Sequence, residues 1–326
     1  MKVGVFSFVF QDLLKYDQAL DWIKDVGAEA VEVGSGGYVA ELGESYCKPT
    51  ELLADEKKLA EWRKKAADRG LEISALSCHG NPLHPNPDLA NRHQQDFRDT
   101  VRVAEKIGVR RVITFSGCPG DSEGSQYPNW VTCPWPPDFL RILEWQWNEK
   151  VIPYWQEEVR FCRDHGVDMI SLEMHPGFVV YNPETLLRLR EAAGPEIGAN
   201  FDPSHLFWQG IDPLAAIRQL GPAIFHVHAK DTIIDPFNTP INGVLDTKPY
   251  ADEINRSWIF RTVGYGHDVK FWKDLVSNLR LVGYDYVLSM EHEDSLMSLR
   301  EGLEKGVGFL RELVLTDERG KPWFES

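Results

Sequence analysis

Cysteine is scarce in this 326-residue sequence. There are five, Cys47, Cys78, Cys118, Cys133 and Cys162, and no C-x-x-C pair among them. An odd, scattered set argues against a disulfide framework or a metal knuckle and fits reduced thiols in a cytoplasm. Long apolar runs are lacking too, and none approaches the roughly 18 residues that span a bilayer. The opening MKVGVFSFVFQD has one lysine and no small-residue cleavage site, so it reads as a strand and not a signal peptide. Positive charge is short: 35 basic residues face 50 acidic ones, for a formal net charge of −15. That balance argues against nonspecific binding to nucleic acid or an anionic membrane, both of which reward clustered Lys and Arg. No Walker loop occurs and no Rossmann glycine fingerprint opens the first βα unit. No loop pairs a glycine nest with clustered basic residues, so a phosphorylated ligand is not expected.

What the chain does have is a sizeable apolar fraction, 43%, and a regular alternation of period. Short β-branched or apolar runs alternate with stretches of helical period. Strands are expected at Val3–Val9, Ala30–Val33, Glu72–Ser77, Arg111–Phe115, Met169–Leu172, Ile197–Phe201, Ile224–Ala229 and Tyr286–Met290. Helices are expected at Asp17–Val26, Glu56–Arg69, Pro87–Ile107, Asp138–His165, Pro183–Ala193, Asp212–Leu220, Val269–Val282 and Ser295–Leu315. Glycine closes many helices before the next strand, as in DVGAEA, DRGLEI, KIGVRR, DHGVDM and LVGYDY. This is the left-handed cap that glycine adopts without steric cost. Eight βα units without a linker between halves predict one closed (β/α)₈ TIM barrel over residues 1–326; a doubly wound sheet is the alternative. Two connections are long: Ser116–Pro137, with Trp130 and Trp135, and Asp231–His267, with Trp258 and Arg261. Both follow strands, the fourth and the seventh, and so should cover the C-terminal face, where barrel active sites lie. Long connections of this kind serve as lids or binding loops.

Four strands end in a metal-ligand type: Glu173 in SLEMHP, Asp202 in NFDPSH, His228 in HVHAKD and Glu291 in SMEHED. Barrel closure would bring these ends together. Three carboxylates and one imidazole make an oxygen-rich site that suits one divalent ion, Mn²⁺ or Mg²⁺ best, with Co²⁺, Fe²⁺ or Zn²⁺ as alternatives. Taken singly, each residue has a bland reading as a helix cap or ion-pair partner.

The strings LEMHP, NFDPSH, HVHAKD, VGYGHDVKFWKDL and GYDYVLSMEHED resemble the xylose isomerase-like superfamily of TIM barrels. That superfamily includes sugar phosphate isomerases/epimerases, tagatose/psicose 3-epimerases, inosose dehydratases and endonuclease IV. The resemblance implies a single barrel in which Glu173, Asp202, His228 and Glu291 hold one divalent metal, with His205 over the substrate beside it. A rival follows from the same resemblance, since endonuclease IV uses three zinc ions and nine ligands. His79, Glu173, Asp202, His205, His228 and Glu291 match six of these, but ITFSGC and GYGHD stand where the other three should be. With the acidic charge, this argues against a nuclease.

The expected activity is that of a metal-dependent sugar isomerase or epimerase. Such an enzyme abstracts a proton α to the carbonyl of a keto-sugar or polyol and passes through an enediolate that the ion stabilises. Glu173 and Glu291 would be the two acid–base carboxylates; His205 and Lys230 would steady the oxyanion. For Lys230 the alternative is an ion pair with Asp231. Expected substrate contacts are His79 (or a buried structural imidazole), Glu32 at the end of strand two (or a cap or ion pair), His175, Arg261 (or a lid latch) and Trp208. His226 should lie one layer below His228, in the core. Other readings are a metal-dependent lyase or dehydratase acting by β-elimination on an inosose or keto-glycoside, and a non-catalytic sugar-binding barrel. The aromatic loops favour a substrate bulkier than a free monosaccharide. No nucleic-acid or membrane partner is expected, and a homo-oligomer is compatible with the sequence.

Overall fold

Five helix-to-strand junctions hold a glycine in the left-handed region. Gly27, Gly70, Gly108, Gly166 and Gly283 have φ between 68° and 91°, where a side chain would meet its own backbone. They are the five glycines of the repeated junction motif, and they return each helix to the barrel. The computed structural model describes residues 1–41, 43, 45–321 and 324.

Eight parallel strands close into a barrel: β1 (Lys2–Phe6), β2 (Ala30–Gly37), β3 (Glu72–His79), β4 (Arg111–Thr114), β5 (Met169–Glu173), β6 (Ile197–Phe201), β7 (Ile224–Ala229) and β10 (Val287–Met290). Each pairs with its neighbour in sequence, and β10 closes the ring between β7 and β1. The strands are buried on both faces, as a helix-covered parallel sheet requires. Helices pack outside, and the apolar core fills the space between them and the barrel, anchored by Trp147, Trp155 and Trp272, all at most 1% exposed.

Several boundaries differ from expectation for physical reasons. The first strand stops at Phe6, and Ser7–Phe10 forms a 3₁₀ turn. The second runs on through Gly34–Gly37, a stretch whose glycines resemble a turn. It stays paired to β3 through register shifts at Val31/Glu32 and Gly34/Gly36, and bulges of this kind re-aim side chains. Gly37 (φ 64°) sits against the backbone of His79, where a Cβ would collide. The expected helix Asp138–His165 is interrupted by a π turn, Gln146–Val151, before Ile152–Asp164. Pro153 offers no N–H, and the widened turn absorbs the missing bond. Gln146, at that turn, donates its side-chain amide to Pro119, Gly120 and Asn129 carbonyls and so ties down the long β4 loop. The last helix begins at Leu299, because Ser298 caps it by accepting from Glu301 N.

The connection after β7 has structure that was not expected. β8 (Asp231–Ile234) and β9 (Trp258–Arg261) form an antiparallel ribbon, with Asp231 opposite Arg261. Its Trp258 and Phe260 join Trp208, which follows β6, in a second, small cluster outside the main core, with Trp130 and Val244 packed against it. All five cysteines are free thiols, and only Cys133 is exposed. No helix among the described residues is long and apolar enough to cross a membrane.

Candidate active site

The C-terminal ends of β5, β6, β7 and β10 bring four side chains to the barrel mouth. Glu173 closes β5, Asp202 follows β6, His228 is next to last in β7, and Glu291 follows β10. His228 is the hub. Its Nδ1 lies 3.2 Å from Glu173 Oε2 and 3.1 Å from Glu291 Oε2. Glu173, Asp202 and His228 can each offer a ligand atom with all three within 4.8 Å of one another.

Within this cluster of four, two buried atoms lack hydrogen-bond partners among the described residues, His228 Nδ1 and Asp202 Oδ2. Neighbours stand close to both, but without hydrogen-bond geometry. An orphaned imidazole nitrogen beside an orphaned carboxylate oxygen, with two more carboxylates at hand, fits one divalent cation. The residues that could hold it are Glu173, Asp202, His228 and Glu291.

What lies beneath explains the hub's orientation and corrects one expectation. Glu32 does not end its strand; it sits inside the barrel, fully buried, below His228. Both its oxygens lie 3.0 Å from His228 Nε2, and they also accept from Ser77 Oγ (2.5 Å) and Ser289 Oγ (2.7 Å). No lone pair is left free for a substrate hydroxyl, so Glu32 acts on the imidazole instead. It fixes a proton on Nε2 and leaves Nδ1 facing the cluster. Burial alone would lower the His228 pKa, yet Glu32 and Glu291 outweigh it and raise it well above the usual value. His226 lies one layer down, where burial pushes it to about 3. Neutral, it donates Nδ1–H to Asn200 Oδ1 (3.0 Å), and Asn200 donates its amide to Glu173 Oε2 (3.0 Å).

Glu173 is surrounded by donors. His79 Nε2 lies 3.2 Å from its Oε2, and His205 Nε2 lies 3.2 Å from its Oε1 and 3.3 Å from Asp202 Oδ2. Burial would raise this carboxyl, but His205, His228 and His79 hold it well below the carboxylate range. His79 is therefore a buried neighbour of Glu173. His175 packs against His205, ring centroids 4.1 Å apart with the planes inclined by 58°, and donates Nδ1–H to Pro176 O; burial lowers it to about 3.

Lys230 does not pair with Asp231. Its ammonium lies 2.7 Å from Glu291 Oε2, 2.9 Å from Glu293 Oε2 and 3.1 Å from Asp202 Oδ2. Burial opposes its charge, and Asp202 and Glu291 more than restore it, so its pKa is raised. Asp231 points away and accepts from Gly264 N, Gly266 N, His267 N, His267 Nδ1 and Trp272 Nε1. Arg261 donates Nε–H to Asp294 Oδ2, which also accepts from Thr262 N. Sequence reasoning missed Glu293, although the period of the string MEHE sets it on the side of Glu291. It is 38% exposed. Burial raises its pKa, and Glu291 adds to this against the pull of Lys230.

Two cavities of about 370 Å³ adjoin this cluster. One is lined by His175, Tyr250, Phe260 and Glu293; the other by Trp130, His175, His205, Trp208, Tyr250 and Trp258. Larger hollows, about 520 and 570 Å³, lie along the outer helices and share no residue with the cluster. They have no converging acids and imidazoles, so size alone would misplace the site.

Fold and cluster define a class: a closed (β/α)₈ barrel with carboxylates and imidazoles gathered at the carboxyl ends of its strands. Within it, the chain belongs to the xylose isomerase-like TIM barrel family, whose model matches residues 20–313. It is 38% identical over 312 residues to the uncharacterized protein YfiH of Bacillus subtilis, covering 94% of this chain and 98% of that protein. Among solved structures, it is similar to the probable 3-DHS dehydratase AsbF of Bacillus anthracis (TM-score 0.66, 17% identity, 95% of this chain and 99% of that one). It is also similar to a D-tagatose 3-epimerase-like protein (TM-score 0.63, 20% identity, 96% and 97%). At these identities the structural likeness is one of fold.

Proposed function

We propose that this protein is a divalent-metal-dependent sugar isomerase or epimerase, which removes a proton α to the carbonyl of a keto-sugar or polyol and returns one. The observation that carries this reading is the pair Glu173 and Glu291, on β5 and after β10. Their Oε2 atoms lie 3.2 and 3.1 Å from a single imidazole nitrogen, His228 Nδ1. A substrate carbon held over that point would have one carboxylate to either side.

The electrostatics support a role for each group. Glu173 and Glu291 both have lowered pKa values, so both are ionised and weak as bases. A weak base needs a strongly acidified C–H bond, and the polarisation of the neighbouring carbonyl by a divalent ion held by Glu173, Asp202, His228 and Glu291 would supply that acidity. His205, which lines a cavity, and Lys230, within 3.1 Å of Asp202 and Glu291, carry N–H donors and would bind the developing oxyanion. His175, neutral and packed on His205, holds that ring in place. The family's epimerase-like and dehydratase members support the reaction class. Phe115 follows β4 and packs against His79, while His267 is turned onto Asp231; neither position offers the further ligands that a trinuclear nuclease would need.

A second reading, β-elimination, is favoured by Glu293. A carboxyl with a raised pKa, hydrogen-bonded to Lys230 and lining a cavity, could protonate a departing oxygen. One experiment tests the first step and separates the outcomes. Incubated in D₂O with a ketose or keto-glycoside, the protein should place deuterium on the carbon α to the carbonyl. Glu173→Gln or Glu291→Gln should slow this well beyond tenfold, since a positioned base contributes about 10²–10⁴, with metal content measured alongside. Retention of all heavy atoms marks an isomerase or epimerase, and release of water or an aglycone marks a lyase. Turnover without exchange or loss of that hydrogen overturns the proposal.

A further inference from the structure

The aromatic-walled cavity beside His205 is not needed to bind a monosaccharide at the cluster. It has a composition of its own. Trp208 and Trp258 stack face to face, 4.8 Å apart with planes 3° from parallel. Trp130 stands edge-on to Tyr181 from the β4 loop side. At the rim, Tyr250 and Leu245 are 58% and 67% exposed, large apolar surfaces left in water. The floor reaches the reacting centre, because His205 lines the cavity and also touches Glu173 and Asp202.

Its polar content is as informative. The indole N–H groups of Trp208 and Trp130 are buried and have no acceptor among the described residues, although buried donors are ordinarily satisfied. Trp208 is only 5% exposed. The cavity's carboxylate, Asp246, is already engaged by Lys248 N (3.0 Å), Lys248 Nζ (2.9 Å) and Ser257 N (2.6 Å). That leaves indole donors without acceptors beside largely aromatic walls, with Thr132 and Thr247 adding hydroxyls, and a carboxylate already taken up by the chain's own donors.

We infer that this cavity is an aglycone subsite for a flat aromatic ring bearing oxygen acceptors, joined to the keto-sugar that the cluster handles. The substrate class is then an oxidised aryl glycoside. This rests on the proposed reaction but is tested apart from it. Phenyl β-D-glucopyranoside lacks the ketone and cannot react, so calorimetric titration of the metal-loaded protein isolates binding. It should bind about tenfold or more tighter than methyl β-D-glucopyranoside, given the apolar area and ring packing a phenyl group would gain. Trp208→Leu, and independently the rim change Tyr250→Ala, should bring the ratio of the two affinities towards one. The second variant covers the case in which the first fails to fold. Equal affinity for the two glucosides, a ratio unmoved in a folded variant, or a preference for cellobiose over the phenyl glucoside overturns the subsite. If deuterium exchange persists with any of these results, the reaction stands and only the aglycone assignment falls.

Discussion

Replacing Glu32 by glutamine should weaken metal binding by about 10–100-fold without unfolding the chain. The magnitude follows from what this carboxylate touches. Of the four candidate ligands Glu32 reaches only His228, through Nε2; its carboxylate otherwise accepts from two serine hydroxyls and has His226 Nδ1 at 3.9 Å. Glutamine keeps the shape: its carbonyl can still accept from Nε2–H while its amide turns to a serine, which rotates to suit. Only the charge is lost. In the metal-free protein that charge favours a proton on Nδ1, and in the metal-bound protein it favours a divalent ion at the same point. A doubly charged ion feels it about twice as strongly, so removing it costs the metal more than the competing proton, and net affinity falls. Loss of such an outer partner typically costs 10–100-fold, or about 1.4–2.7 kcal/mol. Competition of Mn²⁺ and of Zn²⁺ with a fluorescent chelator at pH 7 measures it, beside a thermal melt of the metal-free variant. A folded Glu32→Gln protein with wild-type affinity would refute the argument.

Two further outcomes follow from the same electrostatics. Because the folded-state pKa of His228 is raised, its protonated form stabilises the metal-free chain fully below its unfolded value of about 6.5, and that stability is lost as pH rises through the raised value. Cation binding must displace the Nδ1 proton, so affinity should climb with pH over that interval. Calorimetry at pH 7 in buffers of different protonation enthalpy should show close to one proton released; no dependence on buffer would contradict the assignment. Asp231→Ala strips a fully buried carboxylate from five donors at residues 264–272 and should cost on the order of 3–5 kcal/mol, read as a lowered urea midpoint; a change under about 1 kcal/mol would mean those donors find other acceptors.

The parts legible in the sequence were those set by local steric rules or by strict period. Glycine after a helix has one cheap conformation, so Gly27, Gly70, Gly108, Gly166 and Gly283 marked their junctions. Strand ends with a ligand-type residue were legible because a parallel barrel aligns all its carboxyl ends, and Glu173, Asp202, His228 and Glu291 meet there. Glu32 was misplaced because Gly34–Gly37 resembles a turn, while the pairing that keeps it in the sheet is a long-range property of β3. The ribbon of β8 and β9 escaped notice because its two short strands are separated by a long polar stretch and find each other only through tertiary contact. Glu293 was missed although its spacing sets it on the side of Glu291, because no local rule makes an acid beyond a strand's end part of a site; only its tertiary contact with Lys230 does.

Asp231 and Arg261 face each other where the excursion over the site leaves the barrel and where it returns. To the scaffold, everything between them is equivalent to a tight turn, since both ends are fastened at one point by Asp294 and by the donors around Asp231. Lengthening, shortening or replacing the segment leaves the end-to-end distance unchanged, and each doubling of a flexible loop costs only about 0.6 kcal/mol. The ribbon is thus a cassette. Grafting a different segment there would change the walls of the cavity beside His205 and leave the buried chain of Glu32, His228 and the carboxylates beneath it in place.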